Sequence, residues 1–305
     1  MAITRNSFPR QLTEGLNASF GMEFRELPAE WSKVFDTFTS NKAFEEDLLL
    51  TGFGPAPIKG EGEAYSEDEA RQGWTARYQH ITVGMKFSIT QEALEDNLYM
   101  QLGTRYARAM ARSMRETKEV MAANILNRAF DTTSTYIGGD GKQLCATDHP
   151  LLWGGTASNA LATPADMSET ALEDMAIMIR TAVDDRGLPI ALRPKRIIIP
   201  PQLEYVAARL LRSPLRPGTN ENDINAIRTL GTFPEDPALI TRLTDSNAWF
   251  VKTDVMDGMK HFQRKAIEKG SDEDPNTGNL TFRSRERFSI AFSDWRGVYG
   301  SSGTT

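Results

Sequence analysis

Apolar residues recur at every fourth position through the middle of the chain: Leu94, Leu98, Leu102, Tyr106, Met110 and Met114, continued by Val120, Met121 and Ile125. That spacing lays one stripe along an α-helix, and no proline interrupts it, so the pattern predicts a single helix over about 89–130. Ser88 or Thr90 can cap its first turn, Glu92, Glu95 and Asp96 suit the positive end of the dipole, and Arg128 suits the negative end. At 1.5 Å per residue the rod would measure roughly 55–60 Å, more than the width of a small domain, so several partners must pack it. Arg105, Arg108, Arg112 and Arg115 form a second, basic stripe at i+3 and i+4 spacing. Such a stripe spoils the heptad seam that a coiled coil requires.

Other segments pattern differently. Residues 1–45 scatter Phe8, Phe20, Phe24, Trp31, Phe35, Phe38 and Phe44 among polar residues. They show helical spacing only near 12–21 and 28–38 and cannot close a core alone, so these aromatics dock either on the same domain or on another subunit. Gly52, Gly54, Pro55, Pro57, Gly60 and Gly62 then open a stretch that passes an acidic cluster, Glu61, Glu63, Glu67, Asp68 and Glu69, and ends in alternation from Trp74 to Phe87. This predicts a long two-stranded excursion with a charged tip, and loops of that length tend to be functional.

Residues 131–165 are rich in Gly, Thr, Ser and Asn and predict irregular structure or short strands. A second helix follows over about 168–184, capped by Ser168 and burying Leu172, Met175, Ala176, Ile179 and Val183. The run Ile197-Ile198-Ile199 predicts a central strand, Gln202–Leu211 a helix, and the segments near 227–233 and 249–252 further strands. Together they make a compact α/β domain over 165–265. Leu280–Phe292 alternates as a strand or strand pair, preceded by a charged turn over 269–279.

With 305 residues, 40% hydrophobic and 25% charged, the chain can bury a sizeable core. A net charge of −6 argues against a protein whose main task is gripping nucleic acid. No run of about 18 apolar residues marks a membrane span, and Met1–Arg10 lacks the core of a signal peptide, so the expected place of synthesis and residence is the cytoplasm. Cys145 is the sole cysteine, which excludes an intrachain disulfide. His80, His149 and His261 belong to no metal motif. Cys145 and His149 could imitate a thiol nucleophile with its base, against the plainer reading of Cys145 as a small core residue. Asp272, Asp274 and Asn276 open like a calcium loop, but Pro275 intrudes and the terminal glutamate is missing. There is no P-loop and no GxGxxG, so no catalytic residue, cofactor or metal is expected. The arginine stripe is either a solvated face balanced by Glu116 and Glu119, or an assembly contact for a neighbouring subunit's acidic loop. The second reading makes Glu61, Glu63, Glu67, Asp68, Glu69, Arg105, Arg108, Arg112 and Arg115 the candidate contact residues.

The order of segments, with Thr147-Asp148-His149-Pro150-Leu151, Gly154–Asn159, Arg186–Ile190, Pro194–Glu204 and Asp245–Phe250, resembles the major capsid protein of tailed bacteriophages, the Hong Kong ninety-seven fold. It looks closest to Mu-like major head subunits. The resemblance implies an α+β fold with an N-terminal arm over 1–48, an extended loop over 49–88, and a peripheral domain over 89–164 and 266–305 built on a spine helix. It places an axial domain over 165–265. The implied function is a non-enzymatic subunit that assembles in the host cytoplasm into hexamers and pentamers of an icosahedral shell. That shell encloses double-stranded DNA without sequence-specific binding. A portal protein, a decoration protein and, as no long helical segment precedes the arm, a separate scaffolding protein are the implied partners. An encapsulin-like compartment is the alternative on the same fold.

Overall fold

A computed structural model describes residues 18–23, 29–90, 92, 99–133, 135–216, 223–275 and 277–304. In chain order the strands are β1 (Asp36–Thr39), β2 (Phe44–Leu50), β3 (Gln72–Gln79), β4 (Ile81–Ile89), β5 (His149–Pro150), β6 (Thr156–Ala157), β7 (Pro194–Ile199), β8 (Ala238–Leu239), β9 (Trp249–Thr253), β10 (Met259–Glu273), β11 (Leu280–Phe292) and β12 (Val298–Ser301). They form two four-stranded sheets, β1-β10-β11-β4 and β12-β9-β7-β8, and two hairpins, β2-β3 and β5-β6.

The long helix spans Tyr99–Asn127. Its expected first turns, with Leu94 and Leu98, lie outside the described residues, and Ile89 ends β4 rather than opening the helix. The buried stripe is Ala107, Met110, Ala111 and Met114, followed by Ala122, Ala123, Ile125 and Leu126. Tyr106, expected inside, is 54% exposed, and Val120 is also exposed. Small alanines let the helix approach the β10–β11 sheet closely, which turns the bulkier Tyr106 outward against Phe87.

Alternation along β11 is realised. Leu280, Phe282, Ser284, Glu286 and Phe288 face inward while Arg283 and Arg285 face out, so the helix meets Phe282 on one sheet face. Phe20 of the arm is buried in that same cluster, and Glu23 pairs with Arg112. The arm therefore packs on its own subunit through residues 18–23. β10 reaches Glu273, so residues 269–273 of the predicted charged turn are strand; the reversal uses Asp274 and Gly278, whose φ is +69°.

The second unit is built as the α/β pattern requires. Ser168 accepts a hydrogen bond from the Ala171 N–H (3.2 Å), and such a cap contributes about 1 kcal/mol. The helix spans Glu169–Arg180, ending before Val183, which is half-buried and bridges to Pro189; Leu172, Met175 and Ile179 pack on Ile197, Ile199, Trp249 and Val251. Ile198 faces the other side, into the cluster with Phe250, Leu126 and Val298. β7 is covered on both faces, which is why it is written as consecutive isoleucines. The predicted strand near 227–233 is instead a short helix, Ala226–Thr229, whose Asn225 side chain caps the Arg228 N–H. The predicted Trp74–Phe87 run is split at His80 into β3 and β4, which join different sheets. Beyond β11 the chain leaves the β10–β11 hairpin, and Val298–Ser301 pairs with β9 in the second sheet. Gly297 makes that crossing possible, because a Cβ there would lie 2.5 Å from the Gly258 Cα.

Candidate assembly surfaces

Residues 29–35 clamp the long helix to the second unit. The Glu119 carboxylate, buried and pushed above its usual range by that burial, accepts the Glu30 and Trp31 N–H groups at 2.9 and 3.0 Å. Glu30 in turn accepts from the Thr241 N–H (2.8 Å) and from Arg242 (2.8 Å), and Arg242 also pairs with Glu116 at 2.5 Å. Glu116 and Glu119, read from the sequence as balancing the arginine stripe, thus serve this clamp. Below Trp31, Lys118 is buried 2.8 Å from Glu286, and burial lowers its pKa.

Arg105 and Arg108 are exposed. Arg112 is engaged by Glu23, and Arg115 is half-buried, with desolvation lowering its pKa. All five acidic tip residues are exposed. Asp68 is engaged within the chain by Arg186, at 2.9 and 2.7 Å from Nη1, and accepts the Gly54 N–H at 2.6 Å. Arg186 first, then that N–H, hold its carboxyl below the ordinary range. Arg186 stacks on Trp153 (4.2 Å), as does Arg71 (4.0 Å). Neither Arg186 nor Trp153 is among the contact residues expected from the sequence. Nothing local marks either one: Arg186 follows Asp184 and Asp185 in an ordinary turn before Gly187, and Trp153 precedes two glycines.

The hairpin leaves Leu50 70%, Phe53 64%, Ile58 100% and Tyr65 86% exposed. The base of the ribbon is backed, with Tyr78 of β3 buried against Phe262 of β10, but Phe53, Ile58 and Tyr65 lie in the loop beyond the strands, and such uncovered apolar side chains mark an interaction surface.

The Cys145–His149 pair does not form. Cys145 is buried in the first core, where burial pushes its thiol far up. His149 is fully buried, stacked on Trp295 at 4.3 Å, with Nδ1 2.6 Å from Asp140 and Nε2 3.1 Å from Asn159. Neither supplies a thiolate or a mobile base. Among the described residues no group of His, Cys, Asp and Glu could hold a metal ion, and no helix is long and apolar enough to cross a membrane.

A model of the phage capsid protein family matches residues 74–301, from β3 through β12. The chain belongs to that family. It is a structural capsid protein of a virion head, and it self-associates into a shell. Its fold is shared with the procapsid of bacteriophage JBD30 (14% identity over 99% of this chain and 77% of that chain, TM-score 0.51). Mycobacterium phage Adephagia supplies a second likeness (11%, 92% and 91%, TM-score 0.56). The virus-like particle from Pyrococcus furiosus matches as broadly (12%, 94% and 98%, TM-score 0.51). Fold alone therefore spans phage and virus-like shells, and the family match separates them. No curated protein matches the chain.

Proposed function

We propose that this subunit assembles as hexamers and pentamers of an icosahedral head that encloses the double-stranded DNA of a tailed phage. The family match over 74–301 carries the reading. Exposed apolar and acidic groups on the β2–β3 hairpin support it, because identical copies under closed symmetry can cover them. In this reading residues 165–265 are the axial domain, and 89–164 with 266–305 the peripheral domain. The arm covers 1–48 and the extended loop 49–88. The acidic tip, Glu61 to Glu69, lies against the neighbour's Arg105, Arg108, Arg112 and Arg115. The net charge of −6 suits a container that must not adhere to packed DNA. A scaffolding protein acts during assembly in the host cytoplasm, and portal and decoration proteins complete the head.

Negative-stain microscopy of the overproduced chain tests this, with closed shells expected. A population of discrete small oligomers at high concentration would contradict it.

A further inference from the structure

We propose that Arg186 is a latch: it holds the hairpin tip on its own subunit and gives it up to a neighbouring copy as the shell closes. The inference rests on the capsid reading. Among the described residues, the hydrogen bonds and ion pairs tying 52–70 to the chain outside the hairpin all come from this one side chain, to the Asp68 carboxylate and the Glu69 carbonyl. The tip has no core of its own, as Ile58 and Tyr65 show by their exposure. The two ends of the bond are built differently. Arg186 is 11% exposed and backed by the Trp153 ring, whereas Asp68 is 42% exposed. The arginine is the fixed post and the aspartate the part that can leave.

A single ion pair with one solvated partner is weak, so it orients the loop without locking it. Arg105 and Arg108 lie exposed on the long helix and offer Asp68 the same guanidinium chemistry on another copy. Exchanging one arginine for another changes little in the free energy of Asp68 itself. The apolar residues beside it, Phe53 and Ile58, supply the bias towards the neighbour when they are covered. In the free subunit the latch lowers the fraction of chains whose loop is available, which raises the concentration needed for assembly.

Arg186→Gln tests the idea, because the turn it sits in is held by its backbone N–H on Asp184 (2.8 Å) and survives the change. In unassembled R186Q, limited proteolysis within 51–71 should run about two- to fivefold faster than in the wild type. Light scattering should show shells at a subunit concentration lower by a similar factor. The charge swap Asp68→Arg with Arg186→Asp should restore slow cutting yet impair assembly, since it sets an arginine against the neighbour's stripe. Unchanged cutting in R186Q overturns the latch, and faster cutting with unchanged or poorer assembly overturns the competition. A wild type that makes no shells overturns the capsid reading instead, and the cutting assay still reads the latch on the free subunit.

Discussion

His261 lies wholly buried in β10 with neither ring nitrogen hydrogen-bonded, 4.3 Å from the Trp31 ring and 5.9 Å from that of Phe288. Desolvation, then the nearby Lys118 charge, lower its pKa from 6.5 to about 3. The folded state thus keeps it neutral down to about pH 3, whereas the unfolded chain takes up a proton below about 6.5. Stability from this group is complete above pH 6.5 and is lost as pH falls towards 3. One proton costs about 1.4 kcal/mol per pH unit across that window, so the loss by pH 4.5 is about 2–3 kcal/mol. The perturbation is His261→Leu, which fills the same apolar slot without a titrating group. Urea unfolding of unassembled subunits, followed by the fluorescence of the chain's five tryptophans, gives stability against pH for both proteins. The difference between them isolates His261 because the other carboxylates and histidines cancel. At pH 7.5 the variant should be at least as stable as the wild type, since two unpartnered nitrogens are removed. At pH 4.5 it should be ahead by about a further 2–3 kcal/mol. Parallel curves between pH 7.5 and 4.5 would refute the assignment.

Two further outcomes follow from buried groups. Lys118→Met leaves Glu286 charged in the core with Gln263 as its remaining partner and should cost about 3–5 kcal/mol in urea unfolding, whereas adding Glu286→Leu should recover most of it. Cys145 should resist an aromatic disulfide reagent at pH 8 in the native subunit and react at once in urea; native reactivity would contradict its burial.

Where local rules decided the outcome, the sequence was readable. Ser168 with Leu172, Met175 and Ile179 specifies its helix without help, and an isoleucine run between prolines and polar residues leaves little but a doubly covered strand. Long-range choices were not readable. Lys118 and Glu119 look like solvated helix residues until Glu286 and the Trp31 backbone arrive from 168 and 88 positions away. Tyr106 and Met110 share a helical stripe, yet a close sheet admits only the second. A break at His80 separates two strands that read as one, and Val298–Ser301 is too short to announce that it returns to a different sheet. Of the candidate contacts, the acidic tip and the exposed Arg105 and Arg108 were visible as patterns. The Arg186–Trp153 anchor was not, because nothing local distinguishes it from an ordinary turn.

Hydroxyl-radical footprinting of assembled particles against free subunits tests most directly whether identical copies cover these surfaces. Phe53, Ile58 and Tyr65, exposed in the single chain, should lose most of their labelling on assembly while Met256, 85% exposed in the second unit, serves as an independent comparison site. Labelling of all three hairpin residues at the free-subunit level in intact shells would contradict it.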